Sequence, residues 1–293
     1  MSHNHRMSPA APANPLAEVP VATPLLTQTV HLALQAAREA GAATLDCSLD
    51  LGLSQTTVEV AARCWRWLGR EYPYLEICKA RTVYYWHGDG FEPVQRFAGQ
   101  LIKLVPTDWG PPTFEIDGIK MLPTAQVSPF EDAARKVRLI EPQDKIVLDT
   151  CGGLGYFAAW CLQLGARQVL SFEKNAQVLW LRRINPWSPR SGGTLSLVEG
   201  DIASQIGLLG AASVDAVLHD PPRFGIAGEL YSQAFYHQLA RVLRPRGRLF
   251  HYTGSPNKLT SGRDVPREVA KRLGRAGFKV APQGDGLLAV REA

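Results

Sequence analysis

Apolar runs alternate with amphipathic stretches through the second half of the chain and predict strands interleaved with helices. The predicted strands cover residues 145–149, 168–172, 195–198, 214–219, 247–252 and 286–290, and the predicted helices cover 155–164, 175–183, 231–243 and 264–276. Continuous apolar runs are typical of strands buried on both faces. Alternation of strand and helix favours a mostly parallel sheet. We therefore predict an α/β fold with a Rossmann-like sheet and helices on both of its faces.

The first half of the chain has a different pattern of short β-type runs separated by turns. A helix is predicted within residues 26–40 and ends at Gly41, and β-type runs follow at 44–50, 57–60, 81–86, 101–105 and 113–117. Gly and Pro clusters separate such runs. We predict a disordered tail over 1–25, a small β-rich domain over 26–122 and the α/β domain over 123–293. The α/β domain opens with a helix from Pro129 to Ile140, with Phe130, Ala133, Ala134 and Val137 facing inward.

Composition narrows the class of protein only moderately. The chain has 293 residues, of which 45% are hydrophobic, and 32 basic against 27 acidic residues give a net charge of +5. The basic excess lies late in the chain, which permits RNA or DNA as a partner. No run approaches the ~18 apolar residues of a membrane span, and no signal-peptide pattern occurs, so we expect a cytoplasmic protein without a membrane partner. Five cysteines without a Cys-x-x-Cys pair favour reduced thiols and no metal site.

A glycine turn follows the first strand of the α/β half. Residues 146–155 read Ile-Val-Leu-Asp-Thr-Cys-Gly-Gly-Leu-Gly, and the next apolar run ends in Glu173. A strand, a glycine turn, a helix and an acidic residue about 20 positions on can bind a nucleoside. The carboxylate of Glu173 would accept both ribose hydroxyls. This pattern indicates an adenosyl cofactor.

The same turn departs from a dinucleotide-binding fingerprint. Gly153 and Gly155 are present, but Ala158 stands where a third glycine would be expected. Asp149 ends the strand, and its carboxylate would balance a sulfonium but oppose a pyrophosphate. The turn therefore favours S-adenosylmethionine over NAD.

Two further strand ends carry carboxylates. Asp201 follows the third strand, where it could accept a hydrogen bond from an adenine amino group while Ile202 packs on the ring. The fourth strand leads into Asp220-Pro-Pro-Arg-Phe, and proline cannot continue a central strand. Asp220 and the Pro221 carbonyl could accept both hydrogens of an exocyclic amine and aim its lone pair at a methyl group. A structural turn is the alternative at both places.

Three ring side chains near these motifs have two interpretations each. His219 precedes the proline turn and His251 ends the fifth strand beside Tyr252, so either histidine could act as a base. A hydrogen-bonded structural role is favoured for each histidine. Trp187, in Asn185-Pro-Trp, could stack on a base or belong to the core.

Taken together, these motifs resemble the class I S-adenosylmethionine-dependent methyltransferases over residues 130–291. The resemblance implies that Asp149, Gly153 and Gly155 surround the methionine part of the cofactor, that Glu173 binds ribose, and that Asp201 and Ile202 meet adenine. Cys151 and Lys174 lie in the same motifs and complete the candidate cofactor site.

A closer likeness covers about residues 44–291. It rests on Ser48-Leu-Asp-Leu-Gly-Leu-Ser, Asn185-Pro-Trp-Ser, His219-Asp-Pro-Pro-Arg-Phe, Ala227-Gly-Glu-Leu-Tyr-Ser, Phe250-His-Tyr-Thr-Gly and Gly262-Arg-Asp-Val. These stretches look like a mainly archaeal group of methyltransferases with a small N-terminal β-domain, to which a ribosomal RNA cytidine N4-methyltransferase is a plausible relative. The resemblance implies an enzyme of RNA modification.

The acceptor site departs from the amino-methyltransferase pattern. Those enzymes place an aromatic residue directly after Asp-Pro-Pro, whereas this chain has Arg223 and then Phe224. A guanidinium can stack on a base and pair with phosphate, so nucleic acid, with RNA favoured, stays the expected partner. The candidate catalytic residues are Asp220, Pro221, Pro222, Arg223, Phe224 and Tyr252.

Two alternatives stay open. The run from Asp220 to Gly247 is similar to spermidine synthases, which use decarboxylated S-adenosylmethionine as aminopropyl donor. Those enzymes carry an acidic residue after the glycines, where this chain has Leu154-Gly-Tyr156. A polycationic acceptor needs several carboxylates, and the sequence offers few obvious ones. A non-catalytic RNA-binding module is the third reading, and the intact acidic strand ends argue against it.

Overall fold

The large sheet of the C-terminal half carries the candidate site. A computed structural model of the chain describes residues 23–254 and 264–293. Seven strands form this sheet, namely β12 (Ile146–Asp149), β13 (Gln168–Glu173), β14 (Leu195–Glu199), β15 (Val214–His219), β16 (Leu243–Tyr252), β17 (Phe278–Gln283) and β18 (Gly286–Arg291). Their order is β14-β13-β12-β15-β16-β18-β17. Pairing is parallel from β14 to β16, and β18 runs antiparallel to both of its neighbours.

Helices cover both faces of this sheet. They are α2 (Pro129–Leu139), α3 (Tyr156–Gln163), α4 (Ala176–Ile184), α5 (Ile202–Gln205), α6 (Gln233–Val242) and α7 (Val265–Arg275), with 3₁₀ turns at Ile206–Leu208 and Gly228–Tyr231. Neighbouring strand residues point to opposite faces, since Val147 belongs to the core under α2, α3 and α4, whereas Leu148 belongs to the core under α5, α6 and α7. The predicted α/β sheet with helices on both faces is confirmed.

Three small antiparallel sheets precede it. They contain β1 (Leu25–Leu26), β6 (Tyr84–Trp86) and β7 (Phe91–Pro93); β2 (Thr44–Cys47), β3 (Thr56–Val60), β4 (Cys64–Trp67) and β5 (Arg70–Pro73); and β8 (Gln95–Phe97), β9 (Leu101–Val105), β10 (Thr113–Ile116) and β11 (Ile119–Lys120). Helix α1 (Gln28–Glu39) packs against the first two of these sheets and is N-capped by Thr27. The β-rich character of this half is confirmed.

The core of the third small sheet is continuous with that of the large sheet. Ile102 and Leu104 of β9 and Phe114 of β10 belong to the same buried cluster as Val137 of α2 and Phe157 of α3. Burying a side chain of this size stabilises the fold by roughly 1.5–3 kcal/mol. The N-terminal part is therefore anchored to the layer of helices that flanks the glycine turn.

Several predicted elements differ in extent from the observed ones. Strand β16 begins at Leu243, four residues before the predicted start, and β17 was not predicted. The predicted tail over 1–25 lies mostly outside the described residues, and Leu25 at its end is 3% exposed in β1. Gly262 and Arg263 also lie outside them.

Candidate functional site

The glycine turn lies at the carboxyl edge of the sheet, between β12 and α3. Gly153 and Gly155 have φ angles of 49° and 83°, a left-handed region that favours glycine. Gly155 is the N-cap residue of α3. The backbone of the turn therefore bends away from β12 at the edge where parallel sheets bind ligands.

Asp149 is a fully buried carboxylate directly before this turn. Its Oδ2 accepts a hydrogen bond from the Ser171 hydroxyl at 2.8 Å, while its Oδ1 has no hydrogen-bond partner among the described residues. Burial raises the pKa of Asp149 to about 6. An orphaned carboxylate oxygen is costly to bury, and a cationic ligand group would offset that cost. The free oxygen of this carboxylate therefore fits the predicted sulfonium cofactor.

Glu173 is held above the same turn. Its Oε2 accepts the Gly153 N–H at 2.9 Å, and its Oε1 accepts the Asn175 N–H at 2.9 Å. Burial raises the pKa of this carboxyl group, and these backbone donors partly oppose the rise. Each carboxylate oxygen has a further lone pair, so the group remains able to accept ribose hydroxyls.

Lys174 and Asp201 form an ion pair beside Glu173. The Lys174 Nζ lies 3.6 Å from Asp201 Oδ2 and 3.6 Å from Glu229 Oε1. Asp201 also caps α5 by accepting the Ala203 N–H at 2.9 Å, and the side chain of Ile202 is buried. Glu229 had no predicted role. Its contact joins the segment after Asp-Pro-Pro to the end of β13.

Asp220 follows β15 and belongs to a cluster that the sequence did not reveal. Its Oδ2 lies 3.8 Å from the Nζ of Lys136 on α2. The same ammonium lies 2.7 Å from Asp132 Oδ2 and 3.9 Å from Asp285 Oδ2. Burial raises the pKa of Asp220 to about 6, although Lys136 pulls it downward. We call Asp132, Lys136, Asp220 and Asp285 the Lys136 cluster.

Tyr252 and Arg135 border the Lys136 cluster. The Lys136 ammonium lies 4.0 Å from the centre of the Tyr252 ring, a cation–π geometry. Arg135 pairs with Asp132 at 2.6 Å and with Asp285 at 3.6 Å. The structure therefore brings together two predicted catalytic residues, Asp220 and Tyr252, through an unpredicted lysine.

The rest of the Asp-Pro-Pro-Arg-Phe segment points to different surroundings. Pro221 is buried, and the Pro222 carbonyl accepts the Tyr231 hydroxyl at 3.1 Å. Arg223 is exposed, and Phe224 packs edge-on against Tyr231 with ring centres 5.4 Å apart. Phe224 also lines a groove between α6 and α7.

Both histidines have structural hydrogen bonds in the interior. His219 bonds Thr150 Oγ1 through Nδ1 at 2.7 Å and the Leu230 carbonyl through Nε2 at 3.1 Å. His251 bonds Tyr236 at 3.0 Å. Burial lowers the pKa of His251 to about 4 and that of His219 well below its usual value. Both rings are neutral at pH 7, in agreement with the favoured structural reading.

The Asn185-Pro-Trp-Ser motif fastens the glycine turn to the N-terminal sheets. Trp187 Nε1 donates to the Leu51 carbonyl at 3.1 Å, and the Asn185 amide donates to the Tyr156 hydroxyl at 3.1 Å. Ser188 donates to the Leu154 carbonyl at 2.7 Å. Trp187 belongs to the edge of the main core, so the core interpretation applies.

Arg182 is a second functional candidate that sequence reasoning missed. It is 3% exposed and donates from Nη1 to the Ser171 hydroxyl at 3.1 Å, while its Nε and Nη2 lack partners among the described residues. A Cβ atom on Gly155 would lie 2.5 Å from its guanidinium carbon. Arg182 thus supports the turn from below.

Metal-ligand clusters and membrane-spanning helices are both absent from the described residues. No group of three or more His, Cys, Asp or Glu side chains in 23–254 and 264–293 is arranged to hold a metal ion. Within the same ranges, no helix combines the length and apolar character that a transmembrane segment requires. The cysteines of these ranges are free thiols.

Comparison with known proteins gives one relative in sequence. No family model matches the chain. It is 44% identical over 194 residues to the uncharacterized protein MJ1233 of Methanocaldococcus jannaschii, which covers 64% of this chain and 66% of that protein. The match therefore spans just under two thirds of the relative's length.

Solved structures establish the fold. A spermidine synthase in complex with the transition state analogue AdoDATO matches with a TM-score of 0.54 and 14% identity, covering 85% of this chain and 79% of the other. The spermidine synthase of Thermotoga maritima matches with a TM-score of 0.53 and 15% identity, covering 85% and 78%. At these identities the likeness concerns the fold alone, and the site must decide the function.

Proposed function

We propose that this chain is an S-adenosylmethionine-dependent methyltransferase that acts on an exocyclic amino nitrogen of an RNA base. One observation carries the proposal. Asp149 and Glu173 are the last residues of β12 and β13, Asp220 directly follows the neighbouring parallel strand β15, and all three lie at the edge that carries the glycine turn. This edge is where open α/β sheets bind their ligands.

The cofactor site uses the carboxylates in distinct ways. Asp149, with its unpaired Oδ1, would balance the charged methionine part, and Glu173 would bind the ribose hydroxyls. Asp201 and Ile202 would contact adenine, with Gly153, Gly155, Cys151 and Lys174 completing the site. The bound cofactor would supply an electrophilic methyl group on a sulfonium.

Asp220 would orient the acceptor. Its carboxylate and the Pro221 carbonyl would accept the two amino hydrogens, which localises the nitrogen lone pair for in-line attack. As the N–C bond forms and the S–C bond breaks, the nitrogen must lose a proton. An Asp220 carboxylate whose pKa is raised to about 6 can take that proton and pass it to solvent.

RNA as the substrate is supported by the surface at Phe224, the last residue of the Asp-Pro-Pro-Arg-Phe segment. An open groove of about 500 Å³ adjoins the segment and is lined by Phe224, Gly228, Ser232, Gln233, His237, Arg272 and Arg275. Arg223 and Arg275 are exposed. Arginine and aromatic side chains at one groove suit phosphate contacts and base stacking. Within this class, the cytidine N4 atom of ribosomal RNA is the acceptor that the sequence resemblance favours.

Aminopropyl transfer is the second candidate. It is favoured by the likeness to spermidine synthases and by the carboxylates of the Lys136 cluster. Leu154 and Tyr156 beside the glycines oppose it, because both side chains are apolar or buried where such an enzyme carries an acid. Decarboxylated S-adenosylmethionine would then be the donor.

Calorimetry with the two donors tests the proposal. We expect the chain to bind S-adenosylmethionine at least as tightly as the decarboxylated form, and Glu173→Ala to lose at least tenfold in affinity. Glu199→Ala is the matched control, because Glu199 is an exposed carboxylate at the end of β14. Much tighter binding of the decarboxylated donor would contradict the methyltransferase proposal and support aminopropyl transfer.

Nucleoside mass spectrometry tests the acceptor. A deletion strain should lack one methylated nucleoside in its RNA, and the intact gene, but not an Asp220→Ala gene, should restore it. Asp220→Ala should keep cofactor affinity within a few fold. An unchanged nucleoside profile with altered polyamines would instead support the second candidate.

A further inference from the structure

Lys136 is a buried ammonium group at the acceptor end of the site. Its side chain is 4% exposed, and the carboxylates of Asp132, Asp220 and Asp285 surround it at 2.7, 3.8 and 3.9 Å. Burial by itself would lower the pKa of Lys136, but the three carboxylates outweigh it and raise the pKa. The lysine is therefore charged at neutral pH.

This arrangement matches how a protein would hold an aliphatic ammonium ligand. Carboxylates supply charge and hydrogen-bond acceptors, and the Tyr252 ring 4.0 Å away supplies a cation–π face. Here the chain itself provides the ammonium from α2. The place next to Asp220 that would suit a polyamine nitrogen is thus already filled.

Asp220 and Lys136 differ in their exposure to solvent. Asp220 keeps 22% of its side-chain surface exposed, whereas Lys136 keeps 4%. An acceptor can therefore approach Asp220 from its exposed side. The Lys136 ammonium is almost closed to solvent, so an amine from solution cannot readily take its place. Lys136 and Arg135 already pair with the three carboxylates of the cluster, so a second ammonium brought to this place would have to compete with two cations for them, and contact with those like charges disfavours binding.

We propose that Lys136 determines acceptor specificity: its ammonium occupies the cationic-amine position of the site, so that polyamines are excluded and Asp220 receives only a neutral amino group. This inference rests on the proposed function in one respect, the placement of the acceptor at Asp220. It explains how a fold shared with spermidine synthases would serve a nucleobase.

Substitution of the lysine tests this role. Lys136→Met keeps an unbranched side chain and removes the charge, which leaves the carboxylates of the cluster without their central cation. Calorimetry with putrescine should show at least a tenfold gain in affinity for Lys136→Met over the unsubstituted chain. Lys136→Arg, which keeps the charge, should show no gain.

Lys103→Met is a matched control outside the site. Lys103 also pairs with a buried carboxylate, Glu115 at 3.4 Å, but on the N-terminal sheet. It should leave putrescine affinity unchanged. Equal putrescine affinity of the unsubstituted chain and Lys136→Met would overturn the proposal, as would a comparable gain for Lys136→Arg.

A second measurement tests the same role if Lys136→Met folds poorly. Lys136→Ala leaves a space that n-propylammonium can enter, so n-propylamine at pH 7 should raise its melting temperature, and n-propanol should not. Equal effects of the amine and the alcohol would contradict the proposal.

The outcomes separate this inference from the proposed function. Amine binding is measured without turnover and without RNA. If Lys136→Met gains putrescine binding while no methylated nucleoside depends on the chain, the proposed function fails and the exclusion of polyamines by Lys136 stands. If methyl transfer is found but Lys136→Met gains no amine affinity, the specificity role fails alone.

Discussion

Asp220 shows how one side chain can link burial to acid–base chemistry. In the proposed reaction it must be ionised to accept an amino hydrogen, yet burial raises its pKa to about 6. The neighbouring Lys136 limits that rise, because it favours the charged carboxylate. The site therefore keeps Asp220 ionised at neutral pH but close to its titration range, which suits a group that also takes up a proton.

Methyl transfer should consequently lose activity in acid. At saturating cofactor, we expect kcat/KM for the acceptor to fall below about pH 6, since a protonated Asp220 can no longer take up the proton that the amino nitrogen loses. Asp220→Asn should be slower at pH 8 by about 10²-fold and should lose this acid limb. Rates measured from pH 5 to 8 for both proteins provide the check; an unchanged acid limb in Asp220→Asn would assign the titration to another group.

Individual residues also show what sequence reasoning can recognise. Asp149 and Asp220 were predicted because each stands between an apolar run and a Gly- or Pro-containing turn, and Glu173 because it ends the next apolar run at a fixed distance after the glycines. Lys136 and Asp285 carry no such signal, since they are far apart in sequence and meet only through packing. The helical spacing of Asp132 and Lys136, four apart on a helix with Val137 facing inward, could have revealed the pair.

At the scale of elements, the glycine turn depends on the helix that follows the next strand. Arg182 of α4 fills the space beneath Gly155, which explains a glycine at that position by close approach as well as by its φ angle. Sequence patterns predicted the turn from its flanking strand and helix. The role of Arg182 was not predicted, because basic residues are common in the last turn of any helix, where they interact favourably with its carboxyl terminus.

Gly155→Ala should therefore lower the free energy of unfolding by more than the strain at its backbone angle alone would. A left-handed φ costs roughly 1–2 kcal/mol for alanine, and displacing the buried Arg182 should add about 1–3 kcal/mol. Gly69→Ala is the control, because Gly69 has a φ of 74° and no atom within 4 Å of the added Cβ. Urea unfolding should show the larger loss for Gly155→Ala, and equal losses would mean that Arg182 moves aside freely.

The short elements were the hardest to predict. Strands β7 and β8 have three residues each, and β1 and β11 have two. Such lengths are too short for a two-residue alternation to emerge from the sequence. The longer β15 was predicted with its observed bounds, because its six-residue run, mostly apolar, ends sharply at Asp220-Pro-Pro.

On the scale of the whole molecule, the two halves meet through a few polar contacts set in a common core. Trp187 reaches from the loop after α4 to the carbonyl of Leu51, a residue with a φ of 59°. Gly110 packs against the same place, since a Cβ there would lie 3.0 Å from the Leu51 oxygen. The pattern of strands and helices distinguished the two halves in the sequence, but no local signal in the sequence predicted this junction.

Trp187→Phe should loosen that junction. A smaller phenyl ring would replace the indole, and the Leu51 carbonyl would lose its donor; a buried unpaired carbonyl costs about 1–3 kcal/mol. Trp109→Phe is the control, because Trp109 is 49% exposed and water can replace its bond to the Thr124 carbonyl. Thermal unfolding should show a lower Tm for Trp187→Phe than for Trp109→Phe; similar values would mean that Leu51 is solvated in the variant.

The contact of Lys174 with Asp201 and Glu229 bears on the timing of ligand exchange. These side chains are each about half exposed, and such pairs contribute ~0–1 kcal/mol. The link between the Asp-Pro-Pro segment and β13 therefore breaks and re-forms at a cost near thermal energy. Entry of a cofactor should be limited by diffusion rather than by this link, and its residence time should depend on the hydrogen bonds that we propose Glu173 would make to the ribose.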